Sequence, residues 1–132
     1  MSGNKSFWAL LLVVIVVMLV WLIKMPNSPG RLDAFATCLG ESGAIFYGTF
    51  WCPHCANQKT LFGASAKLLP YVECSTPDGR SQLSVCTDAG VTGYPTWDFV
   101  TGTTTVRESG EVSLERLSEL SNCPLPDISS AQ

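Results

Sequence analysis

The chain has 132 residues, a formal net charge of −3, 46% hydrophobic residues and six cysteines. Setting aside an apolar N-terminal stretch leaves about 100 residues, enough for one small domain with a modest core. Acids and bases are interspersed without the basic stripe that tracks phosphates, which argues against a nucleic-acid partner, and so many cysteines suit an oxidising compartment rather than a reducing cytosol.

Residues 1–6 read as a short polar tail. From Phe7 to Ile23 every residue is apolar, and at helical rise this run spans roughly 25 Å, close to the hydrocarbon thickness of a bilayer. Lys5 and Lys24 bracket it, and Trp8 and Trp21 lie near its ends, where indole rings favour the membrane interface. A cleaved signal peptide has a shorter apolar region followed by small residues, a pattern that Lys24-Met25-Pro26-Asn27-Ser28 does not offer. The expectation is therefore a single transmembrane anchor over 7–24. Lys5 with the amino terminus is balanced by Lys24 and Arg31, so the cysteines decide orientation: everything after Met25 is expected on the extracytoplasmic side, in a periplasm or an organelle lumen.

Residues 25–31, rich in Pro, Asn, Ser and Gly, predict a linker, with a domain over 32–124 and a C-terminal tail over 125–132. Leu32, Phe35, Ala36 and Leu39 recur at helical spacing, and Gly40 or Gly43 would end that helix. Ala44 to Phe50 fits a buried strand. Pro53 suits the first turn of a helix running to about Leu69, with Leu61, Phe62, Ala66 and Leu69 as its core stripe. Tyr71 to Cys74 predicts a second strand, followed by a turn at Pro77-Asp78-Gly79 and a helix from Gln82 to Ala89. Strand, helix, strand implies a parallel pair with a crossover. Thr96 to Val100 and Thr103 to Glu108 predict a hairpin, and Leu114, Leu117 and Leu120 a closing helix.

The chemistry concentrates at Trp51-Cys52-Pro53-His54-Cys55. Two thiols at this spacing can close a disulfide across the first turn of a helix, whose N-terminal N–H groups favour the thiolate of the first. Cys52 is thus the expected attacking sulfur and Cys55 the resolving one. His54, the sole histidine, stands between them, where a protonated ring would favour the Cys52 thiolate; the plainer alternative is a solvent-exposed helix residue. Zinc would need a second close cysteine pair, a haem attachment motif would need His where Ala56 stands, and no phosphate loop or hydrolase triad is present. No metal site and no cofactor beyond the redox-active pair is expected.

With the dithiol at a strand-to-helix junction and Gly93-Tyr94-Pro95-Thr96 before the hairpin, the chain resembles the thioredoxin fold: an α/β domain with a central mixed sheet of about four strands flanked by helices. That resemblance implies a cis bond at Pro95, opposite the dithiol, where the flanking backbone pairs with an incoming peptide. It places Trp51, Tyr94 and Pro95 at a substrate-binding rim, to which Phe50 would add, while Trp97 suits the core. More narrowly, Phe35-Ala36-x-Cys38-Leu39, Tyr47-Gly48-x-Phe50-Trp51-Cys52-Pro53-His54-Cys55, Gln58-Lys59, Lys67 to Cys74 and Gly93 to Trp97 resemble the thioredoxin-like domain associated with vitamin K epoxide reductase homologues, over nearly all of 33–123.

Those homologues are membrane quinone reductases that make disulfides, and the associated domain relays oxidising equivalents to substrate proteins. The implied partners are cysteine-containing substrate proteins and a separate vitamin K epoxide reductase-like membrane protein, since one spanning segment holds no quinone site. The resemblance pairs Cys74 with Cys86; Cys38 and Cys123 then remain, either bridged, left as buried thiols or paired with another protein. The chain departs from many thioredoxins six residues before Cys52, where Phe46 replaces a buried carboxylate that assists proton transfer at the second cysteine. Help for Cys55 must come from elsewhere or from water. The expected function is a membrane-anchored thiol–disulfide oxidoreductase donating disulfides to extracytoplasmic proteins. A reductase or isomerase running the opposite way, and a non-enzymatic adaptor using the fold to dock, are the alternatives.

Overall fold

The computed structural model describes residues 3–24 and 29–127; the expected linker residues 25–28 and the ends of both tails lie outside them. Helix α1 (Gly3–Lys24) begins earlier than the apolar run, because Asn4, Lys5 and Ser6 continue it as its first turn. Its 22 residues rise about 33 Å, and Asn4–Leu22 has a mean hydropathy of 2.5 with no part buried. It is long and apolar enough to cross a bilayer, as an anchor or a signal sequence would be.

The domain opens with α2 (Asp33–Glu41), which starts with an acidic residue facing the positive end of its dipole and turns Leu32, Phe35, Ala36 and Leu39 into the core. Gly43, at φ 85°, makes the left-handed turn into β1 (Ala44–Gly48), a conformation that an L side chain would resist. Helix α3 (Pro53–Phe62) follows, with Pro53 in the first turn, where its missing N–H costs nothing.

The expected continuous helix to Leu69 is interrupted. Gly63 leaves helical geometry at φ 53° and ψ −127°, and Gly63–Leu68 winds as a tighter 3-10 segment. The buried face of α3 runs through Cys55, Gln58 and Phe62, which leaves Leu61 45% exposed, while Phe62 stacks on Phe35 at 5.9 Å and Leu69 is buried after the break.

Strand β2 (Tyr71–Glu73) pairs parallel to β1, with Phe46 opposite Tyr71 and Gly48 opposite Glu73. The helix expected from Gln82 to Ala89 shortens to α4 (Ser84–Asp88), because Gln82 is held otherwise, bridging to Ser75 and donating its Nε2 to the Val91 carbonyl at 2.8 Å. The hairpin β3 (Thr96–Thr101) and β4 (Thr104–Ser109) turns at Gly102, and α5 (Leu114–Ser121) is capped by Ser113, whose side chain accepts from the Arg116 N–H at 3.2 Å.

The sheet order is β2-β1-β3-β4, with β1 antiparallel to β3 and β3 antiparallel to β4. This mixed four-stranded sheet flanked by helices is a thioredoxin-like fold. Side chains alternate across it. Ala44, Phe46, Trp97 and Phe99 face the main core with α2, α3 and α5, and Phe46 stacks on Trp97 at 4.6 Å between ring centroids. Tyr47 faces a second cluster with Cys74, Cys86 and Val91.

Cys38 is bonded to Cys123, tying α2 to the segment after α5, and Cys74 is bonded to Cys86, with Cα separations of 5.9 and 5.6 Å that suit disulfides. Arg107 completes the second face. It grips the buried Asp98 carboxylate through two 2.7 Å hydrogen bonds and donates to the carbonyls of Ala89 and Gly90, pinning the end of α4 to the sheet.

Candidate functional site

The route to the site runs along β1 and over its C-terminal end. Strand β1 is central and hydrogen-bonded on both sides, so its end is a fixed point from which the chain turns into α3. Cys52 is the N-cap of α3, its N–H bonded to the Thr49 carbonyl and its own carbonyl accepting from Ala56. The helix dipole favours negative charge at that place. Cys52 and Cys55 are both free thiols here, and their surroundings differ.

Cys52 is 7% exposed and its Sγ lies 3.7 Å from the carbonyl oxygen of Tyr94, the residue that precedes Pro95 across a cis bond. The dithiol and the proline turn, 40 residues apart in sequence, are therefore side by side. Around them Trp51 and Phe50 stand 53% and 60% exposed, and Trp51 meets Tyr94 edge-on at 6.2 Å. The Trp51 indole donates to Ser75 Oγ at 2.9 Å, which fixes its pose over a hollow of about 150 Å³ lined by Thr49, Ser75, Gly79, Gln82 and Tyr94. Trp97, the other aromatic residue near this stretch, is fully buried.

Cys55 sits one turn into the helix and is 1% exposed. It packs against the bare Cα of Gly48: a Cβ built there would meet Cys55 Sγ and Tyr71 Cε2 at 2.9 Å each. Burial pushes the Cys55 thiol up to about 12; a hydrogen bond to the Thr49 backbone and the charge of Lys59 act against the rise, and the Cys52 sulfur adds to it. The Lys59 Nζ lies over the Tyr71 ring, 3.4 Å from its centroid, and Tyr71 donates its hydroxyl to Glu73 Oε2 at 2.7 Å. Glu73 in turn accepts from the N–H groups of Ser75 and Phe50 at 2.9 and 3.3 Å. The Tyr71 hydroxyl is held well above its usual range, first by burial and then by that carboxylate.

His54 points the other way, outward. Its Nδ1 lies 2.7 Å from Glu111 Oε1, and because a carboxylate only accepts, that nitrogen carries the proton. Asn57 donates to the same oxygen at 3.2 Å, and these two hydrogen bonds, His54 first, hold the Glu111 carboxyl below its usual range. Glu111 is within reach because Gln58, fully buried one residue along the helix, exchanges two hydrogen bonds with the Val112 backbone, at 2.9 and 2.7 Å. Pro53 is exposed in the first turn.

Sequence reasoning did not assign roles to Lys59, Tyr71, Glu73, Gln58 or Glu111. Lys59 could have been found from its i+4 spacing to Cys55, which puts both on one helix face. Glu111 carries no local signal, since it is placed by the chain leaving β4.

No family model matches the chain. A curated relative, the thiol-disulfide oxidoreductase LTO1 of Arabidopsis thaliana, is 42% identical over 111 residues, covering 78% of this chain and 27% of the relative. The chain thus spans about a quarter of that protein's length. Among solved structures, thioredoxin O2 of Arabidopsis thaliana in its oxidized state is 18% identical over 67% of this chain and 84% of its own, with a TM-score of 0.42. A structure described as a malarial protein is 21% identical over 58% of this chain and 89% of its own, also at 0.42. At those scores neither likeness adds to what the sheet topology and the dithiol helix define on their own.

Proposed function

We propose that the chain is a membrane-anchored thiol–disulfide oxidoreductase that passes disulfides to cysteine-containing proteins on the extracytoplasmic side. One observation carries the reading: a free CPHC dithiol at a helix N-terminus, its first sulfur against the backbone of a cis-proline turn and its second buried behind it. The similarity to a protein named as a thiol-disulfide oxidoreductase supports the class of reaction. Two disulfides elsewhere in the domain support an oxidising side of the membrane.

In the proposed cycle a substrate thiolate attacks Cys52 of the Cys52–Cys55 disulfide, and a mixed disulfide forms as Cys55 leaves with the electron pair. A second substrate thiolate attacks the substrate's own sulfur and releases Cys52. The substrate has lost two electrons and the dithiol holds them. A vitamin K epoxide reductase-like membrane protein is the proposed acceptor that restores the disulfide, helix α1 is the proposed anchor, and no cofactor is required beyond the cysteine pair. Trp51, Tyr94 and Pro95 form the proposed rim that receives the substrate peptide.

The experiment is the equilibrium reduction potential of the Cys52–Cys55 pair, measured together with trapping by Cys55→Ala. A potential around −120 to −200 mV, with mixed disulfides accumulating through Cys52, is expected. One near −270 mV would instead make the protein a reductant. No trapped protein in cells would count against exchange altogether.

A further inference from the structure

We infer that Lys59, seated on the Tyr71 ring that Glu73 anchors, is the positioning residue that stabilises negative charge developing on Cys55 during disulfide exchange. The inference rests on the function proposed above and deepens it. The reaction breaks the Cys52–Cys55 bond and sends its electron pair to Cys55, a sulfur packed where solvent does not reach. A departing thiolate is a poor leaving group in such surroundings unless a positive charge meets it.

The groups facing Cys55 can be taken element by element. From α3 come Cys52 and Lys59; from β2 comes Tyr71, whose hydroxyl is bonded to Glu73; from the cis-proline turn comes Tyr94. Strand β1 offers Gly48 and Phe46, which carry no charge, and Phe46 fills the core instead. Lys59 is the cation in this set. Its i+4 spacing puts it on the same helix face as Cys55, and the Tyr71 ring, which borders the bare Cα of Gly48 together with the Cys55 sulfur, gives the ammonium a seat. Tyr71 is fixed in turn, because its hydroxyl is bonded to a carboxylate that two backbone N–H groups hold in place. The Tyr71 proton is committed to Glu73, so the ring serves as a platform and the cation above it supplies the charge.

The arrangement has a separable signature. With burial holding the Cys55 thiol near 12, the finished dithiol carries a neutral Cys55 at neutral pH, as does the disulfide. Lys59 therefore acts on the transition state, where charge is transient, and not on either end state. Its removal slows the forward and reverse reactions by the same factor and leaves the reduction potential at pH 7 unchanged.

The test uses the full chain in detergent. Oxidised protein is mixed with a reduced dithiol peptide, the dithiol protein is mixed with the oxidised peptide, and the equilibrium is read separately against glutathione. Lys59→Met, which keeps the length and helix preference of the side chain, is expected to slow both directions about three- to tenfold, one unit in leaving-group pKa being worth at most about tenfold. Lys59→Arg restores most of the rate, and Tyr71→Leu, which removes the seat, reproduces the loss. Rates within twofold of the parent for Lys59→Met, or a slowing in one direction with a shifted potential, overturn the inference. A parent protein that exchanges with neither peptide overturns the proposed function and this inference with it.

Discussion

Gly48→Ala places one methyl group where the structure has least room for it. The new Cβ would stand 2.9 Å from Cys55 Sγ and from Tyr71 Cε2, and 3.5 Å from Cys55 Cβ. Ordinary contacts between heavy atoms lie at about 3.5–4.0 Å, so sulfur and ring must each give way by roughly 0.6–1 Å. The strand cannot retreat, because β1 is paired on both sides and the Gly48 carbonyl accepts from Cys74 N–H at 2.8 Å. Overpacking of this kind costs about 1–3 kcal/mol. Guanidinium unfolding of the dithiol form is expected to show a lower midpoint with an unchanged slope, the mark of lost stability without a change in the surface exposed. Cys55 should also be alkylated faster in the variant, since the sulfur is the lighter of the two obstructions and moves first. A midpoint within about 0.3 kcal/mol of the parent, together with unaltered alkylation, would refute the argument that a bare Cα at this position is what seats Cys55.

Gln58→Leu strips the Val112 N–H and C=O of their partners in a buried place and should cost about 2–4 kcal/mol by urea unfolding, two unsatisfied backbone groups outweighing the added apolar surface. High pH should destabilise the dithiol form selectively. Between the ordinary thiol value near 9 and the folded value of about 12 the unfolded chain gives up the Cys55 proton while the folded one keeps it, so stability falls as pH climbs through that window. The disulfide form has no such proton, and an equal loss in both forms on an alkaline melting series would contradict the assignment. Replacing Cys38 and Cys123 together by Ser removes a bridge across 85 residues and is expected to cost about 4–5 kcal/mol in the chain-entropy account, read as a fall in thermal midpoint.

Much of the architecture was legible because its signals are local. The α2 stripe, the parallel pair around the dithiol helix, and the hairpin through Gly102 each follow from periodicity and turn residues within a short window. Gly63 falls inside the stretch that periodicity reads as one helix to about Leu69. What makes it a terminus is its backbone, at φ 53° and ψ −127°, which leaves the α-helical region and hands the chain to a 3-10 segment ending at Leu68. Gln82 failed as a helix residue for a different reason, its side chain being more useful to the Val91 carbonyl than to a first turn. The site divides along the same line. Cys52 to Cys55 is a contiguous motif, whereas Glu111 reaches His54 only through the Gln58–Val112 hydrogen bonds, a contact across 54 residues that no local pattern encodes.

Position 46 explains why charge control around Cys55 sits where it does. Many thioredoxins carry a carboxylate at the matching position, but in this chain Phe46 is stacked on Trp97 and meets Tyr71 edge-on at 5.2 Å, fully buried. Exchanging it for Asp would forfeit a core aromatic, by itself about 3–5 kcal/mol, and leave a carboxylate with no donor among the apolar side chains around it. The core has in effect closed that route. Strand β2 borders Cys55 at the edge of the sheet: Tyr71 packs toward the sulfur while Glu73, two residues on and on the same face, accepts two backbone N–H groups. A cation from the helix above is then the complement to the charge that appears on sulfur, the role inferred for Lys59. The same Tyr71 ring that packs against Phe46 carries Lys59 on its face, so the packing that removed the carboxylate also seats the cation that takes its place.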